Sequence, residues 1–574
     1  MAGGLQGCKT FCINGGYDIK PINDDVFTYL IGGKAGQGTK KAGIVAANFF
    51  SALKRNVFQM NDYPSLIRGG HNFSLVSTAT RKIYSQYMKA DLAVLLDQRS
   101  YTIHRDHLTE NGVLVYDSMA VKQGQGIGLP IASLAKNYAD PDLIVGVAGI
   151  AVLAAVVGAD RTKLDALIQK EYRRNAEDNL KFAHEIYDEA EKKITQRFEL
   201  REGNATNPIL AGAETIGLGA SAAGLDLYYA YPMTPSTPIL HFLAAQAKQL
   251  GVVTVQPENE IAVANMAIGA TFSGARSMVG TSGGGFCLMQ EAFSLAGMVE
   301  APVVFFLGQR PGPSTGVPTY SEQGELLFSL YPGQGEFPRI VASPGSIEEA
   351  FYVAAELLNL AWRFQTPAIL LSEKHLTESS MNVDFDIEKI RAAAPDMNTS
   401  GIYQRYRQTE TGVSPLLFPP SDAMIKWNSY EHDEQGYTSE AAEVIARMHV
   451  KRRTKQESLI RYLQENVQTV NEYGTGDTCV FTFGSTTMSV REAVVHAGLS
   501  CTVVQPIYLQ PFPVWNLMKY VGRKVVVVEQ NCTGQLEQLL REKTSITPIL
   551  SIRQFDGRPF DPVDLAEQLR KVID

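Results

Sequence analysis

Cysteine is scarce in this 574-residue sequence, with six in all: Cys8, Cys12, Cys287, Cys479, Cys501 and Cys532. Apart from the first pair they are scattered without ligand-like spacing, which argues for a reducing compartment. No second pair follows Cys8 and Cys12 to complete a four-thiolate site, so no iron–sulfur cluster is expected on this chain. An excess of positive charge is lacking too. Lys and Arg total 52 against 60 Asp and Glu, a net of −8, and no sequence-wide field exists to gather nucleic acid or anionic lipid. The most continuous apolar run, Leu143 to Ala159, is short for a membrane span and rich in Gly and Ala, and it reads as a buried helix. Met1 to Tyr17 has no basic start leading into an apolar core, so no secretory signal is read and a cytoplasmic location is expected.

What is present is ordinary globular material, 45% hydrophobic and 20% charged, in a chain too long for a single core of roughly 250 to 300 residues. Two to four domains are expected. From Asp25 to about Glu199, apolar strands alternate with amphipathic helices: Val26 to Gly32, a Gly-rich turn, a helix from Lys41 to Leu53, then strands at Ala90 to Leu96 and Gly112 to Tyr116. This is α/β patterning with a parallel sheet. Arg201 to Asn207 is a polar linker. A second α/β unit runs from Ala211 to Leu371, with strands at Asp226 to Tyr231, Ser277 to Gly280, Val303 to Leu307 and Ala368 to Leu371 and a helix from Glu260 to Phe272. Periodicity fades from Met381 to about Asp433, where aromatics accumulate with Pro, Gly and Ser, the mark of an irregular but packed extension. A last α/β unit occupies Asp477 to Asp574. The basic run Lys451, Arg452, Arg453 and Lys455 lies in a helical pattern and reads first as a solvated face and second as a contact for an acidic partner.

Several segments carry candidate chemistry. The turn Gly32, Gly33, Lys34, Ala35, Gly36, Gln37, Gly38, Thr39 follows a strand and opens a helix, where backbone amides can meet an anion. It is not a P-loop, because Thr39 precedes Lys40, and its glycines miss the dinucleotide spacing. A structural turn and a site for a phosphate-bearing ligand such as coenzyme A both fit. Arg68, Gly69, Gly70 and His71 form either a second anion-friendly loop or a turn between strands. Tyr231-Pro232-Met233-Thr234-Pro235-Ser236 ends a strand and begins a helix, with Thr234 and Ser236 offering hydroxyls to helix amides or a ligand. Glu258 and Glu260 head a helix of small residues, where a buried carboxylate suits proton chemistry and an exposed one merely caps. Thr281 to Phe286 is a glycine turn, and Arg310 opens a Pro- and Gly-rich loop where a guanidinium can meet a carboxylate or a surface acid.

Taken together, these segments resemble the 2-oxoacid:ferredoxin oxidoreductases, and in particular the chain in which a gamma domain is fused ahead of the alpha subunit. Tyr430-Glu431-His432-Asp433-Glu434 and Val528-Glu529-Gln530-Asn531 extend the likeness to the C-terminal region. The resemblance implies a Rossmann-like gamma domain over residues 1–200, a thiamine-diphosphate-binding pyrimidine domain over 206–380, the extension over 381–470 and a transketolase C-terminal-like domain over 471–574. It implies CoA-dependent oxidative decarboxylation of a 2-oxoacid, best matched to 2-oxoglutarate giving succinyl-CoA and carbon dioxide, with electrons passed to ferredoxin. Glu260 would hydrogen-bond N1′ of the thiamine aminopyrimidine. Pro232 and Ser236 would line that cofactor, and Thr234 and Arg310 would meet the substrate carboxylate. Gly33, Gly36, Gly38 and Arg68 would belong to loops for CoA or another anion. The family's Gly-Asp-Gly motif for diphosphate and magnesium is missing here, so Mg2+ and [4Fe-4S] clusters are expected on a beta subunit, with thiamine diphosphate at the interface and a dimer of alpha–beta pairs as the assembly. No metal site, nucleic acid or membrane is expected for this chain. Gly284 stands where the family often has Pro, and Glu325 where Asp is common, both read as lying away from the chemistry.

Other readings remain open at the level of sequence. Pyruvate or a broad range of 2-oxoacids would serve similar chains, a non-redox thiamine enzyme would share the sheet topology, and a nucleotide-binding regulatory or scaffold protein would use the Gly33 to Gly38 turn.

Overall fold

The computed structural model describes residues 18–20, 25–64, 70–398 and 401–573. They fall into two compact units that divide between Asn207 and Pro208. Cys8, Cys12 and Arg68 lie outside the described residues.

The smaller unit is built on a six-strand run in the order Ile127–Leu129, Leu108–Asp117, Ala90–Leu95, Phe27–Lys34, His71–Ala79, Asn56–Asp62. The first four are parallel, as the strand–helix alternation predicts. His71–Ala79 runs antiparallel to both of its neighbours. That strand alternates Ser and Thr with Phe, Leu and Val, so its hydrophobic signal is diluted, yet most of its residues are buried. The helix Pro141–Val156 is buried over nearly its whole length. It approaches the Gly-rich turn so closely that a Cβ on Gly146 would sit 2.7 Å from the Gln37 carbonyl oxygen. Small residues in the apolar run are therefore needed for packing. No helix among the described residues is long and apolar enough to cross a membrane.

The larger unit holds two sheets. Seven strands run in the order Val253–Val255, Leu227–Ala230, Ser277–Ser282, Val303–Gln309, Ala368–Glu373, Ile340–Ala342, Tyr508–Gln510, parallel except for the last. The helix Glu260–Phe272 starts and ends where the pattern of small residues predicts. Five strands form the second sheet in the order Val470–Tyr473, Thr502–Pro506, Thr478–Phe481, Lys524–Glu529, Leu550–Arg553, with only the first antiparallel. One apolar core serves both, joining Phe305 of the first, with Phe286 and Phe293 of the helices packed against it, to Phe481, Val504 and Val527 of the second.

The stretch after Met381 has little regular structure yet packs tightly. Arg405 is buried in it, donating to Gln365 Oε1 at 2.8 Å and to the carbonyls of Val299 and Glu300 at 3.0 and 2.9 Å. The rings of Tyr406 and Trp427 lie 5.0 and 5.2 Å from its guanidinium. Here the basic run departs from expectation. Lys451, Arg452 and Lys455 in the helix Ala442–Asn466 are buried, and only Arg453 is exposed. Lys451 Nζ donates to both oxygens of Glu300, at 2.7 and 2.9 Å, and Lys455 donates to Oε2. Arg452 pairs with Glu431 at 2.6 Å. Lys451 and Lys455 turn inward because they meet the buried Glu300 far away in sequence, and Arg452 because it meets the partly buried Glu431.

Candidate functional site

In an open, mainly parallel sheet, ligands bind beyond the carboxyl ends of the strands. Three neighbouring strands of the larger unit, Leu227–Ala230, Ser277–Ser282 and Val303–Gln309, deliver the sequence-predicted residues to such a position. Tyr231 to Ser236 follows the first and Arg310 the third, while the second runs straight into the short helix Gly283–Leu288 where a glycine turn was expected. Glu260 follows the edge strand Val253–Val255, which pairs with the first.

Glu260 is the first residue of its helix and only 5% exposed, whereas Glu258 faces solvent. The cap is supplied by Asn259, whose Oδ1 accepts from the Ala262 amide at 2.9 Å. Glu260 is thus spared from capping. Its carboxylate lies over the first turn of the helix Gly283–Leu288: a Cβ on Gly285 would come within 2.8 Å of Glu260 Oε1 and 2.2 Å of Thr281 Oγ1. Beyond Gly284 the space is open, the nearest atom being the Ser314 carbonyl oxygen at 3.7 Å from a Cβ built there. Ser282 Oγ is buried without a partner.

Arg310 Nη1 donates to the Thr234 carbonyl oxygen at 2.7 Å, so the structure brings together the two residues expected at the substrate carboxylate. The guanidinium is largely buried, which lowers its pKa, and the nearby carboxyl of Glu325 acts in the opposite direction. Pro232 is exposed at the rim. Ser236 is fully buried, and its hydroxyl donates to the Met233 carbonyl oxygen at 2.7 Å, leaving the helix Thr237–Ala245 without a side-chain cap. Glu325 was expected away from this place. It lies against Gly283 and Arg310 instead, with burial and the neighbouring Glu322 pushing its carboxyl up to about 8. Nothing in the local sequence marks Glu325 for this position.

Two further motifs prove to be structural. The Glu529 carboxylate accepts from the amides of Leu536 and Glu537 at 2.8 and 3.2 Å and from Asn531 Nδ2 at 2.7 Å, fixing a strand end to the next helix. His432 is buried with its ring 3.7 Å from that of Tyr406.

In the smaller unit, Gly36 and Gly38 have φ of 97° and 70°, conformations that favour glycine, while Gly33 packs beneath the Gln37 side chain. Gln37 Oε1 accepts from the Lys34 amide at 2.8 Å, so the turn is internally braced. Gly38 lines a cavity of about 220 Å³ together with Lys41, Tyr138, Tyr172, Arg173 and Arg174. Gly33 and Gly36 do not line it.

Residues 218–451 match the family model described as pyruvate flavodoxin/ferredoxin oxidoreductase, thiamine diphosphate-binding, and residues 28–189 match that described as pyruvate ferredoxin/flavodoxin oxidoreductase. The chain belongs to the 2-oxoacid:ferredoxin oxidoreductase family. The alpha subunit of the 2-oxoacid:ferredoxin oxidoreductase of a Sulfolobus species is 29% identical, over 95% of this chain and 97% of its own length. The KorA subunit of 2-oxoglutarate synthase from Methanocaldococcus jannaschii is 28% identical over 62% of this chain and 97% of its own length. A solved 2-oxoglutarate:ferredoxin oxidoreductase from Magnetococcus marinus, with 2-oxoglutarate, coenzyme A and succinyl-CoA bound, superposes with a TM-score of 0.87 at 27% identity, covering 96% of this chain and 100% of the other. The oxidoreductase family therefore accounts for both units, and the match to the thiamine-diphosphate-binding model embraces Thr234, Glu260 and Arg310.

Proposed function

We propose that this chain is a fused gamma–alpha subunit of a 2-oxoglutarate:ferredoxin oxidoreductase, converting 2-oxoglutarate and CoA to succinyl-CoA and carbon dioxide with electrons passed to ferredoxin. The observation that carries the reading is the convergence of a buried, cap-free Glu260 and an inward-turned Arg310 at the ends of parallel strands. Support for the fusion comes from the two family models in series, and from a KorA relative that spans only 62% of this chain while covering nearly all of itself. The substrate follows the Magnetococcus enzyme, with pyruvate or several 2-oxoacids as the second reading.

The residues fit thiamine diphosphate in part. A buried carboxylate, an unpartnered Ser282 hydroxyl and the open space at Gly284 suit a flat group bearing ring nitrogens and an amine. When bound, that cofactor supplies a nucleophilic carbon able to accept the charge left by loss of carbon dioxide. Glu260 would hold the proton exchanged at the aminopyrimidine N1′, with Pro232 and Ser236 shaping the wall. Arg310 and the Thr234 segment would orient the 2-oxoacid by its carboxylate. The glycine turn, the Lys41, Arg173 and Arg174 cavity and Arg68 would serve the phosphates of CoA.

Mg2+ and [4Fe-4S] groups would be held by a beta subunit. Ile261, Met266 and Leu288 are 51%, 43% and 52% exposed beside the site, with Asn265 and Gly269 on the same helix face, a surface poor in charge that suits burial by that subunit. A dimer of such pairs, working in the cytoplasm, is the proposed assembly. The test is CoA-dependent viologen reduction by the copurified pair under anaerobic conditions. Preference for 2-oxoglutarate supports the full reading, preference for pyruvate replaces the substrate, and no oxidation of any 2-oxoacid by a thiamine- and iron-loaded complex rejects it.

A further inference from the structure

Arg310 begins an irregular loop, residues 310–322, and the two stems of that loop close on a single oxygen atom. Glu373 ends the strand Ala368–Glu373 and pairs in register with Gln309, the residue before Arg310. Its Oε1 accepts from Gln309 Nε2 at 3.3 Å on one side of the loop and from Gln323 Nε2 at 2.8 Å on the other. Gln309 Oε1 in turn accepts from the Glu325 amide at 3.0 Å, so the outgoing and returning chains are also joined directly. Glu373 is fully buried. Three N–H groups point at it, the third being the Ser485 amide at 3.0 Å from Oε2, and an ionised carboxylate, which only accepts, is the side chain that suits them.

The clamp is anchored outside its own sheet. Gln323 Oε1 accepts from Thr486 Oγ1 at 2.8 Å and from the Gln530 amide at 2.9 Å, and its Nε2 also donates to the Phe483 carbonyl oxygen at 2.8 Å. These partners follow the strands Thr478–Phe481 and Lys524–Glu529 of the five-strand sheet, to which the reaction described above gives no part. Within the loop the Val317 amide donates to the Pro311 carbonyl oxygen at 2.9 Å, and the Ser321 amide donates to that of Gly557 at 3.1 Å. A loop closed at its stem and braced along its length restricts the placement of its first residue. That residue is Arg310, whose Nη1 reaches the Thr234 carbonyl oxygen.

We propose that Glu373, through Gln309 and Gln323, is the positioning residue of the Arg310 loop and fixes where the guanidinium meets the carboxylate of the 2-oxoacid. This rests on the reading of Arg310 as the carboxylate-binding group. A displacement of about 1 Å at such a contact is enough to weaken it severely. The five-strand sheet thereby enters substrate binding through the loop it helps to hold.

The experiment is a double-mutant cycle read in the KM for the 2-oxoacid, using the complete complex with its companion subunit. Gln309→Met nearly keeps the volume but removes both bonds at the first stem, and KM should rise roughly five- to tenfold, with a smaller change in kcat and in the KM for CoA. In an Arg310→Ala background the same substitution should add less than about twofold, because the group through which it acts is gone. A general loosening of the fold would raise KM by the same factor in both backgrounds, and that result overturns the proposal, as does an unchanged KM in the single variant. Glu373→Leu frees both stems and should show the same dependence on Arg310 with a larger factor; if that variant fails to assemble, the Gln309→Met cycle decides alone. Hydrogen exchange of the full chain gives a readout independent of turnover. The amides of Val317 and Gln323, bonded to the Pro311 and Gln530 carbonyl oxygens, should exchange faster in Gln309→Met, while those of the helix Glu260–Phe272 keep their rate. Unchanged exchange across residues 310–323 overturns the clamp. Failure of the wild-type complex to oxidise any 2-oxoacid removes the functional reading itself and this proposal with it, whatever the exchange result.

Discussion

Glu300 and Glu325 are two glutamates of the same unit, drawn inward to opposite ends. Both oxygens of Glu300 are taken by the ammonium groups of Lys451 and Lys455. Burial alone would raise its pKa, but the two lysines hold the carboxyl well below the usual range, while burial draws the lysines down from theirs. Glu325 has a single cation nearby and two other acids, its Oε2 is unpaired, and its carboxyl is held up at about 8. One cluster is saturated and ties the irregular extension to the sheet. The other keeps an oxygen and a charge state in reserve at the mouth of the proposed site. Buried charge is not in itself a sign of function, whereas buried charge with unfilled valence deserves the suspicion.

The sharpest test of the contrast adds Glu260, the other acid spared from structural duty. Glu260→Gln should lower turnover about a hundred- to ten-thousandfold, the range lost with a proton-transferring group, while assembly with the companion subunit is unchanged by size-exclusion chromatography. Turnover at the wild-type rate would remove Glu260 from the chemistry. For the saturated cluster the expected effect is on stability: Glu300→Gln leaves two buried lysines unneutralised and should cost about 3–5 kcal/mol in denaturant titration. Replacing Glu300, Lys451 and Lys455 together by apolar residues of similar volume should restore most of that loss. A single substitution without effect would mean that the cluster is solvated.

Arg310→Ala removes a charge-assisted contact of about 2 kcal/mol, and the KM for the 2-oxoacid should rise roughly thirtyfold with a smaller change in kcat. The pH dependence of stability separates the two glutamates further. Because the folded-state pKa of Glu300 lies below its ordinary value of 4.5, its contribution is complete above about 4.5 and is lost as pH falls below it. The thermal midpoint should therefore drop in acid, and Glu300→Gln should flatten that drop. Smallest is Gly146→Ala, where the added Cβ meets the Gln37 carbonyl oxygen and should cost about 1–3 kcal/mol without touching the larger unit's site.

Much of this was legible in advance. The helix Glu260–Phe272 declares itself by its run of small residues, and the choice of Glu260 over Glu258 agrees with its burial. The Tyr231 to Ser236 segment and Arg310 were separately ambiguous, and their meeting depends on strand order, which sequence periodicity does not encode. The inward turn of Lys451 and Lys455 was illegible because their partner lies 151 and 155 residues away. His71–Ala79 was missed for a different reason: polar Ser and Thr alternate along a buried strand, and only its pairing with two neighbours satisfies them. Glu325 was passed over because a one-methylene difference from Asp says nothing about what stands opposite.

The chain passes from Thr502–Pro506 in the five-strand sheet to Tyr508–Gln510 in the seven-strand sheet across one residue. That residue, Ile507, donates to the Thr469 carbonyl oxygen at 2.9 Å and accepts from the Ser343 amide at 2.8 Å. Neither sheet can open at this seam without tearing the ladder of the other. Amide protons on both sides should exchange with deuterium in one cooperative event at a common free energy, and the C-terminal region should not melt ahead of the rest as a separate foldon.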